Sequence, residues 1–443
     1  MPIVKRRYRS LLLAALALAT SAVACSRAGG DRAADVILIV VDTLRAQNLS
    51  LYGYERSTSP NLERFAKDAV TYEMAISTAN WTVPAHASMF TGLLPSYHGA
   101  QRVPGDRILA TPINPQARTL AEILHEHGFR TGAFIGNTTY VTGILGFNRG
   151  FEVFATRFPD NSNHAPSIVA AALAWLAENR QPAFQFLNIL DPHEPYEPPP
   201  PFDTRFPGRV PALGAYLTRK VNDGEKVTPE MRAHFLSQYD GEIAFTDEAL
   251  GRFFADLRKM DRYDRALIIV TSDHGELFGE HGLAGHGNAT YEPLLHVPLI
   301  VKYPGNRRAG ERVERRVSTL GVFATVLEAT ALPKPDGVQS VPFDEHHPVW
   351  VEDVDFFGAS AIVGYDDHWK IVRSVNGSEE KIRLWDLAAD PDETGPVADA
   401  GAAAALRERL AAFAALPRPS NAEPAPVIDP EREAQLRALG YVQ

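Results

Sequence analysis

Short segments of this chain carry side chains able to hold an anion and to bring carboxylates and imidazoles to one edge. From Asn80 to Gly92 the chain reads Asn-Trp-Thr-Val-Pro-Ala-His-Ala-Ser-Met-Phe-Thr-Gly. Pro84 suits a first helical turn and Ala85 to Phe90 can continue it. This sets the Thr82 hydroxyl beside a helix N-terminus, where free amides and the dipole favour phosphate or sulfate. Taken alone, Thr82 reads first as a helix N-cap. Asp42 and the pair Asp273-His274 each close an apolar run, and Asp191-Pro192-His193 closes another; His286 lies in the glycine-rich stretch His281–Gly287.

The elements that must position these groups are legible from apolar runs. Val36 to Val41 is an unbroken β-branched stretch, as expected of a parallel strand buried on both faces. Similar strands are expected at Thr131 to Ile135, Phe184 to Leu190 and Ala266 to Thr271. Helical patterns occupy Leu120 to Gly128, Ile168 to Asn179 and Pro229 to Lys259. Alternating strands and helices predict an α/β fold: a large, mainly parallel sheet flanked by helices on both faces. Ligands of such sheets sit beyond the carboxyl ends of the strands. Asp42, Asp191 and Asp273 all fall at that rim. Beyond Leu332, short strands (Ala361 to Val363, Trp369 to Val372, Ile382 to Trp385) and an Ala-rich helix from Ala402 to Leu416 predict a small C-terminal antiparallel subdomain. The expected layout is a catalytic domain over 34–331 and a C-terminal α+β subdomain and tail over 332–443.

The 443 residues are 45% hydrophobic and 22% charged, which predicts a large core and excludes global disorder. A formal net charge of -10 argues against a nucleic-acid binder working by phosphate neutralisation. Residues 1–24 read as a signal peptide, with Lys5, Arg6, Arg7 and Arg9 ahead of an apolar run from Leu11 to Ala24. The run ends Ala22-Val23-Ala24-Cys25, and Cys25 is the only cysteine. That junction resembles the lipobox of bacterial lipoproteins, with Ala22 where Leu is more usual. Residues 25–33 are then a lipidated linker, and Ser26 after the cysteine predicts an outer-membrane protein facing the periplasm.

In order and spacing, these motifs resemble the sulfatase family of the alkaline phosphatase superfamily. The resemblance also rests on Val41-Asp42-Thr43-Leu44-Arg45, Ser59-Pro60-Asn61-Leu62, Tyr239-Asp240-Gly241-Glu242-Ile243, Val297-Pro298-Leu299-Ile300 and Leu384-Trp385-Asp386-Leu387. It implies that Thr82 is the nucleophile, at the place where sulfatases convert a cysteine or serine to formylglycine. It implies that Asp42, Asp273 and His274, with Thr82, hold one divalent metal ion; carboxylates with one imidazole suit Mn²⁺, Zn²⁺, Mg²⁺ or Ca²⁺, and such an ion touching the threonine oxygen lowers its pKa until it can attack. His193 matches the histidine contacting the ester, His286 stands where many sulfatases have an ester-binding lysine, and His86 stands where the signature has arginine. Thr43 replaces the second aspartate of an Asp-Asp pair. Asp191 could join His193 and His286 at a second metal, although a loop-capping role is the simpler reading. Arg45, Asn80, Glu276 and His281 are outer candidates. The implied activity is hydrolysis of an anionic, envelope-derived ester, phosphoester ahead of sulfate ester. A true sulfatase, a phosphoglycerol or phosphoethanolamine transferase, and a non-catalytic binding lipoprotein are the alternatives.

Overall fold

The computed structural model describes residues 33–104, 106, 109–354, 358–398, 401, 403–419 and 424–426. Residues 1–24 and Cys25, on which the export and lipidation expectations fall, lie outside the described residues. Among the described residues no helix is long and apolar enough to cross a membrane.

The strands, in chain order, are β1 (Asp35–Val41), β2 (Val70–Ile76), β3 (Arg130–Ile135), β4 (Val153–Ala155), β5 (Ala183–Ile189) and β6 (Ala266–Thr271). A short ribbon follows, β7 (Leu277–Phe278) and β8 (Ala284–Gly285), then β9 (His296–Lys302) and β10 (Arg312–Ser318). The last four are β11 (Val349–Val354), β12 (Ser360–Asp366), β13 (Trp369–Asn376) and β14 (Glu379–Asp386). Eight of them form one sheet in the order β10-β2-β9-β6-β1-β5-β3-β4. β1 lies at its centre, parallel to β5 on one side and to β6 on the other.

Burial on both faces explains the unbroken apolar runs. Val36, Leu38 and Val40 of β1 pack into one core with the Thr82–Thr91, Leu120–Glu126 and Gly321–Ala329 helices. Ile37, Ile39 and Val41 pack into the opposite core with the Pro60–Ala66, Ala165–Glu178 and Pro229–Lys259 helices. Each strand residue therefore meets a helix whichever way it points, which is the arrangement expected of a doubly covered parallel sheet.

One strand departs from the parallel pattern. β9 runs antiparallel to both neighbours, β2 and β6. It carries Pro298, which cannot donate to a ladder. The pairing with β2 passes from Tyr72↔Leu299 to Ala75↔Val297 through a bulge, so the proline falls where the ladder is already interrupted.

Strands β11 to β14 form a separate antiparallel sheet in sequence order, covered on one side by the Ala404–Ala414 helix through Leu406 and Leu410. Its other side meets the large domain, where Val349, Val351 and Tyr365 pack with Ile76, Leu294 and Leu295. Lys370 fastens this junction. It is fully buried and lies 3.1 Å from Glu292 and 2.7 Å from Glu393, while the Tyr365 hydroxyl donates to Glu292 at 2.6 Å. Lys370→Met should cost about 3 kcal/mol or more, because two buried carboxylates lose their cation. Urea unfolding at constant pH measures it; a change below about 0.5 kcal/mol would mean that apolar packing alone holds the small sheet.

Candidate active site

Two buried carboxylates face each other at the carboxyl ends of β1 and β6. The strands run in register, Val40 opposite Thr271, so Asp42 and Asp273 both emerge just past the sheet, each fully buried. Each keeps one oxygen occupied and one open. Asp42 Oδ2 accepts from Asn137 Nδ2 at 2.8 Å. Asp273 Oδ1 accepts the backbone N–H groups of His274 at 2.9 Å and Thr43 at 3.2 Å. Asp42 Oδ1 and Asp273 Oδ2 are buried without a hydrogen-bond partner.

Thr43 supplies its amide through a costly backbone. Its φ is +56°, a region that a β-branched residue rarely enters, and the Tyr239 hydroxyl donates to its carbonyl at 2.7 Å. Such a geometry persists where the surroundings over-determine it; here it aims an N–H at Asp273.

His274 completes the group. Its Nδ1 lies 2.9 Å from the Gly275 carbonyl, which fixes a proton on Nδ1 and leaves Nε2 as a lone-pair donor. That Nε2 lies 3.4 Å from Thr82 Oγ1, 3.5 Å from Asp273 Oδ2 and 3.8 Å from Asp42 Oδ1. Ligand atoms of Asp42, Asp273 and His274 all lie within 4.8 Å of one another. Two orphaned carboxylate oxygens, an imidazole lone pair and a hydroxyl, all dry, are a donor set that fits a single divalent cation.

Electrostatics point the same way. Burial, reinforced by the Asp273 carboxylate, pushes Asp42 up to about 7, and burial likewise raises Asp273. Burial holds His274 down to about 3. Two carboxylates driven toward neutrality and an imidazole driven toward its unprotonated form describe a pocket that lacks positive charge.

Thr82 begins the Thr82–Thr91 helix, and Trp81, not Thr82, stands at the N-cap. No side-chain capping bond is present, so the capping role that the sequence offers for this hydroxyl is not the one it plays. His86, one turn along, is wholly buried. Its Nδ1 lies 2.9 Å from the Thr82 carbonyl and 3.4 Å from Asp273 Oδ2, and its Nε2 lies 3.3 Å from Asn188 Nδ2. Burial lowers its pKa, so a neutral imidazole braces the start of this helix against Asp273.

His193 and His286 line the pocket beyond the carboxylates. Ring centroids of His286 lie 4.5 Å from His274 and 5.1 Å from His193. His286 Nδ1 is 3.1 Å from Glu276 Oε1. Burial pushes Glu276 up to about 7 and lowers His286 well below its usual value. Asp191 goes elsewhere: its carboxylate takes His164 Nδ1 at 2.6 Å and the Ala165 amide at 2.9 Å. It holds the first amide of the Ala165–Glu178 helix, a different role from the loop cap expected of it. Among the described residues the cluster of carboxylate and imidazole groups that could hold a metal ion is Asp42, Asp273 and His274.

The outer candidates divide similarly. Asn80 donates to Asp353 at 2.8 Å, tying the Thr82 segment to β11. Arg45 pairs with Glu280 at 3.0 Å, and His281 stacks on Tyr291 at 3.6 Å. Asn137 and Asn188 had no place in the sequence reading. Both belong to strands reaching the same rim, Asn137 just after β3 and Asn188 within β5, and that position is the signal that could have exposed Asn137.

A sequence profile described as Sulfatase matches residues 34–332. This chain belongs to the sulfatase family. Among curated relatives, human Arylsulfatase K is 25% identical, the match covering 87% of this chain and 83% of that protein. The Multifunctional alkaline phosphatase superfamily protein PehA of Trinickia caryophylli is 27% identical, over 70% of this chain and 76% of that protein. The phosphonate monoester hydrolase of Agrobacterium radiobacter shares the fold, with a TM-score of 0.67 at 22% identity, covering 86% of this chain and 94% of that one. The relatives of this chain in the sulfatase family are hydrolases, and the solved neighbour shares its fold, a large mainly parallel sheet with a small antiparallel C-terminal sheet.

Proposed function

We propose that this sulfatase-family chain is a metal-dependent hydrolase of anionic esters, phosphoesters ahead of sulfate esters, in which Thr82 forms a covalent intermediate. The observation that carries the reading is the Thr82 hydroxyl 3.4 Å from His274 Nε2, beside two carboxylate oxygens without partners. A divalent ion held by Asp42, Asp273, His274 and Thr82 would supply charge to polarise the ester and to lower the pKa of the threonine hydroxyl.

The rest falls to the chain's own side chains. Thr82 enters as the alkoxide, its proton released to solvent. Its Oγ bonds to phosphorus as the bond to the departing oxygen breaks. Protonated Glu276 donates a hydrogen bond to His286 Nδ1, which turns Nε2–H toward the departing oxygen; as Nε2 gives up its proton to that oxygen, Nδ1 takes the one from Glu276, and Glu276 regains a proton from solvent in place of the one Thr82 released. His193 orients the ester from the same wall. Water then attacks phosphorus, breaks the Oγ–phosphorus bond and restores the hydroxyl. A threonine ester lacks the second hydroxyl by which a formylglycine hydrate expels sulfate, so release must occur at the transferred group. That is ordinary for phosphorus and unusual for sulfur.

The arylsulfatase relatives favour a second reading, a sulfuric ester hydrolase. A panel of aryl phosphate, phosphodiester, phosphonate monoester and sulfate substrates separates the two: turnover of sulfate alone would overturn the phosphoester reading. We further propose export, lipidation at Cys25 and display on the outer membrane toward the periplasm, where envelope-derived esters would meet the site. A Cys25→Ser chain should leave washed membranes for the soluble fraction; continued membrane association would remove the anchor.

A further inference from the structure

A cleft lined by none of the active-site residues lies where the large sheet meets the small one. It holds about 410 Å³ between β10, the 346–348 loop, the turn joining β12 to β13, and Arg409 of the Ala404–Ala414 helix. Adjacent strand residues normally point to opposite faces, yet Arg315 and Arg316 both line this cleft. A bulge explains it. β10 pairs with β2 as Val313↔Tyr72 and next as Arg316↔Met74, so one extra β10 residue breaks the alternation and turns two consecutive guanidinium groups to one side.

Each guanidinium is anchored by a backbone carbonyl. Arg315 Nη2 donates to Phe343 and Arg316 Nη1 to Asp367, and the Arg316 guanidinium lies 5.2 Å from the centre of the Tyr365 ring. The Nε group of each is buried without a hydrogen-bond partner, as is His347 Nε2 on the 346–348 loop. Polar atoms buried in this way are costly unless a ligand satisfies them. The carboxylates around the cleft do not. Asp366 pairs with Arg409. Asp367, its side chain 87% exposed, lies 3.2 Å from His368, and Glu314 is exposed.

His347 gives the cleft a preference among anions. Its Nδ1 lies 3.3 Å from the Glu345 carbonyl, which can only accept, so the proton sits on Nδ1 and Nε2 presents a lone pair. Burial lowers its pKa, which keeps the ring neutral. Two charged donors beside one acceptor match an oxyanion that still carries a hydroxyl. Inorganic phosphate carries one at neutral pH. Sulfate has none, and a phosphate monoester has largely lost its second proton. We propose that Arg315, Arg316 and His347 bind inorganic hydrogenphosphate at the junction of the two sheets, in a site separate from the one between β1 and β6 and independent of the hydrolase reading.

The test uses the full chain carrying Asp273→Asn, with a chelator present, so that neither an ion between β1 and β6 nor turnover contributes. Inorganic phosphate, sulfate and glycerol 1-phosphate are titrated calorimetrically into this protein near neutral pH. A single phosphate should bind per chain, about tenfold or more tighter than sulfate or the monoester. Adding Arg315→Gln and Arg316→Gln together should weaken phosphate by about 100-fold or more. Adding His347→Phe instead should bring phosphate and sulfate to within about twofold of each other, because the acceptor that separates them is gone. His347 is only half-buried, so this variant decides the matter if the double arginine variant lacks a cooperative melting transition. The proposal is overturned by a parent that binds no phosphate or binds sulfate equally well. It is overturned too by a folded double variant within about twofold of its parent, or by a His347→Phe protein that still separates the two anions. None of these results touches the hydrolase reading, which rests on Thr82 and its neighbours.

Discussion

Thr82→Ala protein should lose about a thousandfold or more in kcat toward phosphoesters while keeping its melting temperature, because removing the attacking atom leaves only binding and electrostatic stabilisation. The substitution deletes a hydroxyl and a methyl at the first position of the Thr82–Thr91 helix, where the side chain makes no capping bond, so little stability goes with it. Thr82→Ser restores the oxygen at the same distance from His274 and should remain within about tenfold of the parent. A slow phosphodiester should leave the mass of a phosphoryl adduct on the peptide containing residue 82 in the serine and threonine proteins. It should leave none in the alanine protein. Wild-type turnover by Thr82→Ala would end the nucleophile assignment. Thr82→Cys need not create a sulfatase, since on the family resemblance conversion to formylglycine depends on a flanking motif in which arginine stands where this chain has His86.

The ease with which this chain is read depends on how many faces of an element are buried. β1, β5 and β6 lie in the sheet interior, covered by helices on both sides, and an unbroken apolar run has no other ready explanation. The Pro229–Lys259 helix falls where expected to the residue, with Pro229 starting it and Thr228 capping it. β10 was invisible for the opposite reason. It is a sheet edge, Arg-Val-Glu-Arg-Arg-Val-Ser, and its charges cover the open ladder at the cost of any strand-like pattern. β9 stands out as a family motif but not as a strand, since Pro298 counts against one until the bulge in β2 is known.

The site shows the same division between what lies along the chain and what meets across it. Asp42, Asp273 and His274 are marked by their place after a strand, and the structure brings their ligand atoms together. Their supports come from elsewhere in the sequence. Asn137 on Asp42, the Thr43 amide on Asp273 and Tyr239 on the Thr43 carbonyl are contacts of high sequence separation. Nothing in local composition announces them. Asp191 shares the rim position and the residue type of Asp42, yet it caps a helix. A carboxylate after a strand is therefore a candidate whose role is decided by what faces it: a helix N-terminus and His164 in one case, a second carboxylate and an imidazole in the other.

That pairing of carboxylates gives the second large effect, on divalent-ion binding. Loss of a residue outside the ligand shell commonly costs 10–100-fold in metal affinity, so replacing a charged carboxylate at the ion by the neutral amide of Asp273→Asn should cost more than about 100-fold. Activity should fall with it, and elemental analysis after gel filtration should find the variant near empty. The ion-free parent should also show a distinctive pH response. Asp42 titrates near 7 in the folded chain, above its ordinary 3.8, and Asp273 is raised as well. A carboxyl group raised by folding contributes stability that is fully present below its unfolded value and is lost as pH climbs toward its folded value. Ion-free protein should therefore lose stability from about pH 4 to about pH 7. The ion binds the deprotonated carboxylates, so the rise in melting temperature on adding Mn²⁺ should be small at pH 5.5, grow through pH 7 and level off above it. Asp273→Asn should gain little at any of these pH values. Metal content equal to the parent in Asp273→Asn, or the same thermal gain at pH 5.5 and pH 8, would place the ion somewhere other than between β1 and β6.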